Sequence, residues 1–463
     1  MRGRERICVA LDVPTAEQAI SLVEQLHYVV GWFKVGKELF TATGPAIFEQ
    51  LIAAGAKNIF CDLKDKDIPA TVGGVAASHT SNRVQMFNVM ADGGSEMMVA
   101  AVVGANERAN RLGVGRPKII AVTLLTSINN EKLVEELRVG MPLPEYVVHL
   151  ATLAKGAGLD GVVASPNEAA MIREACGPNF LIVTPGIRPA GTDANDQQRL
   201  ATPAAAIRNG SDVLVIGRPI TKADDPRVAA EAIGAEIIET EALIALERCQ
   251  ALIMNDHIVY TSGKHGRAYV NKDAIYPHTG VVSELCLGIA EHFQFDEVDV
   301  VVAPAVGGVV LEQWTAHHLS QLCGREILGV YAEKDGDNFV LKRGYDRLVV
   351  GKRCLVVEDV MTTGGSAAKV VELVRATGGE VVGLGVICNR GGIRPEDVGN
   401  PPELYALTNI SLESWDEADC PLCQQGVAVN TDVGKGAEFL AKRGLKKCPD
   451  CGKVHKIEEA CLA

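Results

Sequence analysis

A chain of 463 residues exceeds the roughly 250–300 over which one hydrophobic core keeps growing, so two domains are expected. With 47% hydrophobic and 22% charged residues it has the makeup of a folded protein, and a formal net charge of −13 argues against a dedicated nucleic-acid binder. No run of eighteen apolar residues occurs and MRGRERICVALDV passes directly into a strand-like run, so neither a membrane span nor a signal peptide is expected and the cytoplasm is the anticipated location.

From residue 6 to about 220, short apolar runs alternate with longer helical stretches: ICVALDV, WFKVG, NIFCDL, VQMFNV, IIAVTLL, GVVAS, FLIVTPG and DVLVIGR. Such continuous apolar runs mark strands buried on both faces, and eight of them in this length predict a (β/α)8 TIM barrel over residues 1–232. Polar residues stand where the runs end: Asp12, Lys34, Asp62 with Lys64, Asn88, Thr123, Ser165, Arg188 and Arg218. In a barrel those ends share the face that carries chemistry.

The third run ends in IFCDLKDKDIPATV. Strand alternation places Asp62 and Lys64 on one side, with Asp67 beyond the turn at Pro69. Neighbouring carboxylates favour a lysine's charged form, so Lys64 reads as a proton donor rather than a Schiff-base nucleophile. A solvated network of ion pairs is the other reading of the cluster alone.

DLKDKDIPATV resembles the DxKxxD signature of the orotidine 5'-phosphate decarboxylase family. VALDV, FKVGKELF, MFNV, IIAVTLLTS, LIVTPGIRPAG, NDQQR and DVLVIGRPIT follow in that family's order. The resemblance departs at Asp65, Lys66 and Ala70, outside the core of the signature. Related barrels that bind magnesium and sugar phosphates share DxKxxD, but LTS and PGIRPAG favour the nucleotide enzyme. The resemblance implies that Lys64 protonates C6 of the pyrimidine as carbon dioxide leaves, that Asp62 crowds the substrate carboxylate, and that Asp67 comes from the partner subunit of a dimer, the whole chain being a homodimer or higher homo-oligomer. It further implies that Asp12 and Lys34 hold ribose hydroxyls, that Thr71, Thr123 and Ser127 line the nucleotide site, and that Arg188, Gln197, Gly217 and Arg218 bind phosphate. A phosphate site after strands seven and eight is also what a TIM barrel leads one to expect. No cofactor is implied for this half.

Residues 221–250 are rich in Ala and Glu without a strand pattern and read as a closing helix and a helical linker, the linker over 233–250. VDVVVAP, EILGVYA, CLVVEDV and VVGLGVICNR then predict a second, open parallel α/β sheet over 251–415. CLVVEDVMTTGGSAAKV is a strand ending in Glu358 and Asp359, then a loop, Val360, Met361, Thr362, Thr363, Gly364, Gly365 and Ser366, that opens a helix. Backbone amides and hydroxyls there form an anion nest, while the carboxylates can accept from ribose hydroxyls. The arrangement resembles the 5-phosphoribosyl 1-diphosphate motif of type I phosphoribosyltransferases, a Rossmann-like fold. YTSGKHGRAYVN, APAVGG and ICNRGG resemble the orotate phosphoribosyltransferase branch. That resemblance implies orotate contacts from Thr362 and Arg390, Mg2+ carried with the diphosphate, and a mobile basic loop. EKDGDNFVLKRGYDR supplies Lys334, Lys342, Arg343 and Arg347 for that loop, with Lys334 taken as the diphosphate-binding residue.

Together the two resemblances imply consecutive steps, orotate and 5-phosphoribosyl 1-diphosphate to orotidine 5'-phosphate and on to UMP. The alternative is a decarboxylase joined to a ribose-diphosphate-binding module that is non-catalytic or serves another base. The tail, residues 416–463, carries Cys420-x2-Cys423 and Cys448-x2-Cys451, whose spacing suggests a structural zinc held by four sulfurs, reduced thiols being the plainer reading. His317 and His318 sit in an evidently helical segment and are not expected to act as ligands.

Overall fold

The eight apolar runs of the first half become strands β1 (Ile7–Ala10), β2 (Trp32–Gly36), β3 (Ile59–Asp65), β4 (Met86–Met90), β5 (Lys118–Val122), β6 (Gly161–Val163), β7 (Leu181–Thr184) and β8 (Val213–Ile216) of a closed parallel barrel. This is a computed structural model, and it describes residues 3–81, 83–189, 201–260, 262–410, 413–448 and 454–456. Cys8, Ala10, Phe60, Met86, Ile120, Val183, Val213 and Val215 pack one core cluster of the barrel, which therefore has a filled interior rather than a pore.

Helices between the strands follow the sequence locally. Thr15 caps the helix Ala16–Leu26 by accepting from the Gln18 amide, and Ala19, Leu22, Val23 and Leu26 form its buried stripe at the i, i+3, i+4, i+7 spacing of an amphipathic helix. β3 differs from its neighbours. Its first four residues are buried and its last three half exposed; its register against β4 shifts between Cys61 and Asp65, and Lys64 adopts a left-handed φ of 56°. A bulge of this kind re-aims side chains at a barrel rim.

The chain divides into two compact units, Arg2–Thr240 and Glu241–Ala463. One helix, Pro226–Arg248, contains residues 233–248. Residues 416–448 belong to the second unit.

The second unit opens with four two-residue strands, β9 (Leu252–Ile253), β10 (Ile258–Val259), β11 (His265–Gly266) and β12 (Tyr269–Val270). Its main sheet contains β13 (Val300–Pro304), β14 (Leu328–Asp335), β15 (Asn338–Val340), β16 (Arg353–Met361), β17 (Glu380–Asn389) and β18 (Leu404–Asn409), in the order β15-β14-β13-β16-β17-β18. Every pairing in it is parallel except β14 with β15. β13 connects onward to β14 on one side while β16 lies on its other side, so the strand order reverses between β13 and β16. Ligands of open α/β sheets bind outside the carboxyl ends at such a switch point. The core beneath it includes Val300, Val302, Val330, Val356 and Leu384, covered by Val370, Val371 and Val374 of the helix Gly365–Ala376.

Three further strands follow, β19 (Ser414–Trp415) and the pair β20 (Leu445–Lys447) with β21 (Val454–Lys456). The expected mobile basic loop is a hairpin: Lys334 pairs with Phe339 across the turn at Gly336, and Phe339 and Leu341 pack on the core. Glu333 accepts ion pairs from Arg343 at 2.9 Å and Lys342 at 3.8 Å. Among the described residues no helix is long and apolar enough to cross a membrane.

Candidate active sites

At the carboxyl ends of β1, β2 and β3, four charges form a chain. Lys34 Nζ meets Asp12 Oδ1 at 2.9 Å and Asp62 Oδ2 at 3.1 Å, and Lys64 Nζ donates to Asp62 Oδ1 at 2.7 Å. Burial works against the Lys34 charge, but Asp62 and Asp12 outweigh it and hold its pKa above the ordinary lysine value. Burial likewise opposes ionisation of Asp62, yet Lys34 and Lys64 keep it below the usual carboxylate range. Asn88, in the middle of β4, fixes the geometry: its Nδ2 donates to Asp62 Oδ1 at 2.6 Å and its Oδ1 accepts from the Lys64 backbone amide at 2.8 Å. The left-handed Lys64 is thus stapled to the strand whose register it interrupts.

The neighbours that depart from the family pattern have structural partners. His79 Nε2 lies 3.0 Å from Asp65 Oδ2, and Lys66 pairs with Asp92 at 2.7 Å. They tie the bulged end of β3 to the helix Pro69–His79 and to the turn after β4.

A 570 Å³ cavity opens over the array, and its lining includes Asp12, Lys34, Asp62 and Lys64 on one side with Gly186, Arg188, Gly217 and Arg218 on the other. Arg188 is buried, its guanidinium donating to the Ile187 carbonyl at 2.8 Å. Lys37, Thr126, Thr221 and Lys222 also line it, and these the sequence reading missed. The structure does not bring Thr71, Thr123 or Ser127 into the lining. Thr123 is buried and its hydroxyl donates to the Val163 carbonyl at 2.9 Å, while Ser127 and Thr71 are exposed. Asp67 is also exposed, accepting from the Ile68 amide. Gln197 lies outside the described residues.

In the second unit, Glu358 and Asp359 end β16 next to the switch point. Both are buried. Asp359 accepts from the Tyr276 hydroxyl and pairs with Lys272 Nζ at 3.0 Å. Lys272 is about half exposed; its partial burial opposes the charge, but Asp359 outweighs that and raises its pKa, while burial and the same carboxylate push the Tyr276 hydroxyl up. Lys272 also acts on Glu358, but burial followed by the charge of Asp359 outweighs it and pushes its pKa up to about 8. Gly307, in the loop after β13, lies against both Tyr276 and Asp359, where a side chain would collide with them. Lys272 and Tyr276 come from a turn some ninety residues upstream, which no local motif signals.

A 140 Å³ cleft is lined by Glu358 and residues 360–367, which takes in every residue expected of the loop, Val360 and Met361 ending β16, Thr362, Thr363 and Gly364 forming the turn, and Gly365 and Ser366 opening the helix. Lys334, on its hairpin strand, is not in that lining. The loop after β17 closes onto this one, the Arg390 and Gly391 amides both donating to the Met361 carbonyl. The Arg390 guanidinium stands over the rings of Tyr260 and Tyr269, 5.4 and 5.6 Å from their centroids. Burial raises the Tyr260 pKa, and its hydroxyl donates to the Ala268 carbonyl at 2.7 Å.

The four-sulfur zinc site needs correction. Cys420 and Cys423 converge with His257 and His265, and Cys448 is not part of that group; two histidines take the positions expected of the second cysteine pair, and the intervening helix Gly436–Ala441 brings Phe439 rather than a cysteine against His265. Cys451 lies outside the described residues.

Residues 5–233 match the model of the orotidine 5'-phosphate decarboxylase / HUMPS family, and residues 273–414 match the phosphoribosyl transferase domain. An orotidine 5'-phosphate decarboxylase of Moorella thermoacetica is 51% identical over 237 residues, covering 51% of this chain and 94% of that protein. Its counterpart from Syntrophomonas wolfei is 49% identical over 240 residues, covering 52% of this chain and 100% of the relative. The solved structure of Leishmania donovani UMP synthase aligns over 95% of this chain and 97% of its own, at 17% identity and a TM-score of 0.41.

Proposed function

The chain belongs to the orotidine 5'-phosphate decarboxylase family through its first half and carries a phosphoribosyl transferase domain in its second, and from this we propose that it makes orotidine 5'-phosphate from orotate and 5-phosphoribosyl 1-diphosphate and decarboxylates it to UMP. The observation that carries the reading is the chain of alternating charges from Asp12 to Lys64 under a cavity that also presents Arg188 and Arg218.

Decarboxylation leaves an electron pair on a ring carbon, and water stabilises that carbanion poorly. A fixed cation where the charge develops lowers the barrier. Lys64 Nζ is that cation and delivers the proton to C6 as the C–C bond breaks. Asp62, kept ionised by two lysines, faces the substrate carboxylate, which its loss relieves. Asp12 and Lys34 take ribose hydroxyls. Arg188, Gly217 and Arg218 take the phosphate, whose binding energy is gained far from the reacting carbon and can hold the carboxylate against Asp62. Asp67 and Thr71, exposed beyond β3, are available to a second copy of the chain, which supports a homodimer.

In the second unit the loop 360–366 cradles the 5-phosphate at the amino end of the helix Gly365–Ala376, and Glu358 and Asp359 face the ribose hydroxyls. Arg390, with Thr362, binds the orotate carboxylate; the aromatic faces of Tyr260 and Tyr269 hold the guanidinium in place. Mg2+ suits this site as a companion of the diphosphate. Asp359 is already engaged by Lys272 and Tyr276, leaving mainly Glu358 as a protein oxygen, and Mg2+ typically binds through one or two carboxylates plus substrate phosphates. When bound it neutralises the leaving diphosphate.

Purified chain mixed with orotate, 5-phosphoribosyl 1-diphosphate and Mg2+ should yield UMP and diphosphate. Accumulation of orotidine 5'-phosphate would overturn the assignment of the barrel. Absence of reaction, with added orotidine 5'-phosphate still decarboxylated, would overturn that of the second unit.

A further inference from the structure

The four residues His257, His265, Cys420 and Cys423 have no part in either reaction, yet two separate segments bring them together. His257 Nε2 lies 2.9 Å from His265 Nδ1, and 3.6 Å from both Cys420 Sγ and Cys423 Sγ; Cys423 Sγ is 3.3 Å from His265 Nδ1. Bond lengths to tetrahedral zinc imply separations of about 3.3 Å between two nitrogens and about 3.6 Å between nitrogen and sulfur. The nitrogen–sulfur distances agree with that tetrahedron, and the two nitrogens need only a few tenths of an ångström to reach it.

The surroundings fit as well. His257 Nδ1 lies 2.7 Å from the Val427 carbonyl, so it carries the proton and leaves Nε2 as a lone-pair donor, the outer-partner arrangement usual for metal-bound histidine. The His265 ring packs edge-on against Phe439 at 4.8 Å, and among the described residues its Nε2 has no hydrogen-bond partner. Both histidines and Cys420 are buried and Cys423 is partly so.

We infer that these residues form a structural zinc site with two sulfur and two nitrogen ligands, closed by two histidines of the unit's opening hairpin and the first cysteine pair of its tail. A tetrahedral S2N2 set selects zinc or an iron–sulfur cluster. The cluster type that mixes Cys and His places them on different irons, whereas here sulfur and nitrogen share one centre.

The site clips the tail onto the segment that carries the base-pocket tyrosines. β11 pairs with β10 on one side and β19 on the other, and the tail amides of Asn430 and Lys435 donate to the carbonyls of His257 and Val259, each at 2.8 Å. Tyr260 follows His257 by three residues and Tyr269 follows His265 by four, so the metal holds the two rings that flank Arg390. This consequence rests on the orotate reading; the metal site does not.

Metal analysis of the purified full chain should find about one zinc per chain, and X-ray absorption at the zinc edge should give two sulfur and two nitrogen neighbours. Cys423→Ser and His265→Asn should each weaken zinc by about 100-fold or more, at least what loss of an outer partner costs, while Cys448→Ser leaves stoichiometry and shell unchanged. Decarboxylation by the same chains reports that the first unit is folded. A protein that neither contains nor takes up zinc, or a four-sulfur shell lost in Cys448→Ser, would overturn the site. Zinc removal that leaves the KM for orotate unchanged, with the S2N2 shell established, would overturn only the link to the tyrosines.

Discussion

Both candidate sites gather carboxylates at the carboxyl ends of parallel strands, and they neutralise them in different ways. The barrel surrounds Asp12 and Asp62 with its own lysines, so the array is complete and fully charged. The second unit gives Asp359 a lysine and a tyrosine but leaves Glu358 to a proton. The difference follows from what each reaction needs. A reaction whose charge develops on a bare carbon must find its cation already in place, whereas a diphosphate brings its countercharge as Mg2+, and a site with less fixed positive charge can accept it.

The largest expected effect breaks the barrel side of this contrast. Lys64→Ala removes both the proton donor and the cation, and the rate of carbon dioxide release from orotidine 5'-phosphate should fall by about 10^4-fold or more. Diphosphate release from orotate and 5-phosphoribosyl 1-diphosphate should be unchanged. Loss of both activities in a chain whose circular dichroism is unaltered would contradict separate sites. Next comes Asp359→Asn, which removes the buried carboxylate charge that Lys272 and Tyr276 engage; transferase kcat/KM should fall by about 100-fold or more. Its decarboxylase assay should match the parent, and an equal loss in both assays would refute the assignment.

What could be read from sequence follows the same division. The barrel was legible because strands buried on both faces are continuously apolar and the residues ending them are polar, so the runs and the array lay within local stretches. Asn88 was visible as a strand-end residue, but that it fixes both Asp62 and Lys64 depends on the bulge in β3, which alternation does not foresee. In the second unit the acidic pair and its loop were local and legible, while Lys272, Tyr276, Tyr260 and Tyr269 reach the site from a segment with no repeating pattern. The hairpin turn at 333–340 read as part of a loop because Asp335, Gly336 and Asp337 hide a tight turn. The cysteine pairs suggested each other, since spacing carries no information about histidines that arrive from 163 and 158 residues away.

A smaller effect sharpens the base assignment. Arg390→Ala removes a charged hydrogen-bond donor of about 1.5–3 kcal/mol, so the KM for orotate should rise about 10–100-fold with kcat less affected. A KM for 5-phosphoribosyl 1-diphosphate that rises equally would show that Arg390 serves the loop 360–366 rather than the base.

The smallest effect on rate tests the proton itself. Glu358 has a folded pKa of about 8 against an ordinary value of 4.5, because burial and the charge of Asp359 disfavour its ionisation. Between those values the folded chain holds a proton that the unfolded chain has released. Stability therefore falls as pH rises through this window and levels off above it. Hydrogen-exchange protection of the helix Gly365–Ala376 should decline from pH 5 to pH 8, once intrinsic exchange is corrected for, and Glu358→Gln, which cannot ionise, should flatten that decline. Equal slopes in parent and variant would mean that Glu358 is ionised and that the two sites do not differ in how they neutralise their acids. A flattened slope with the barrel's own protection unchanged would place the difference at this one carboxyl group.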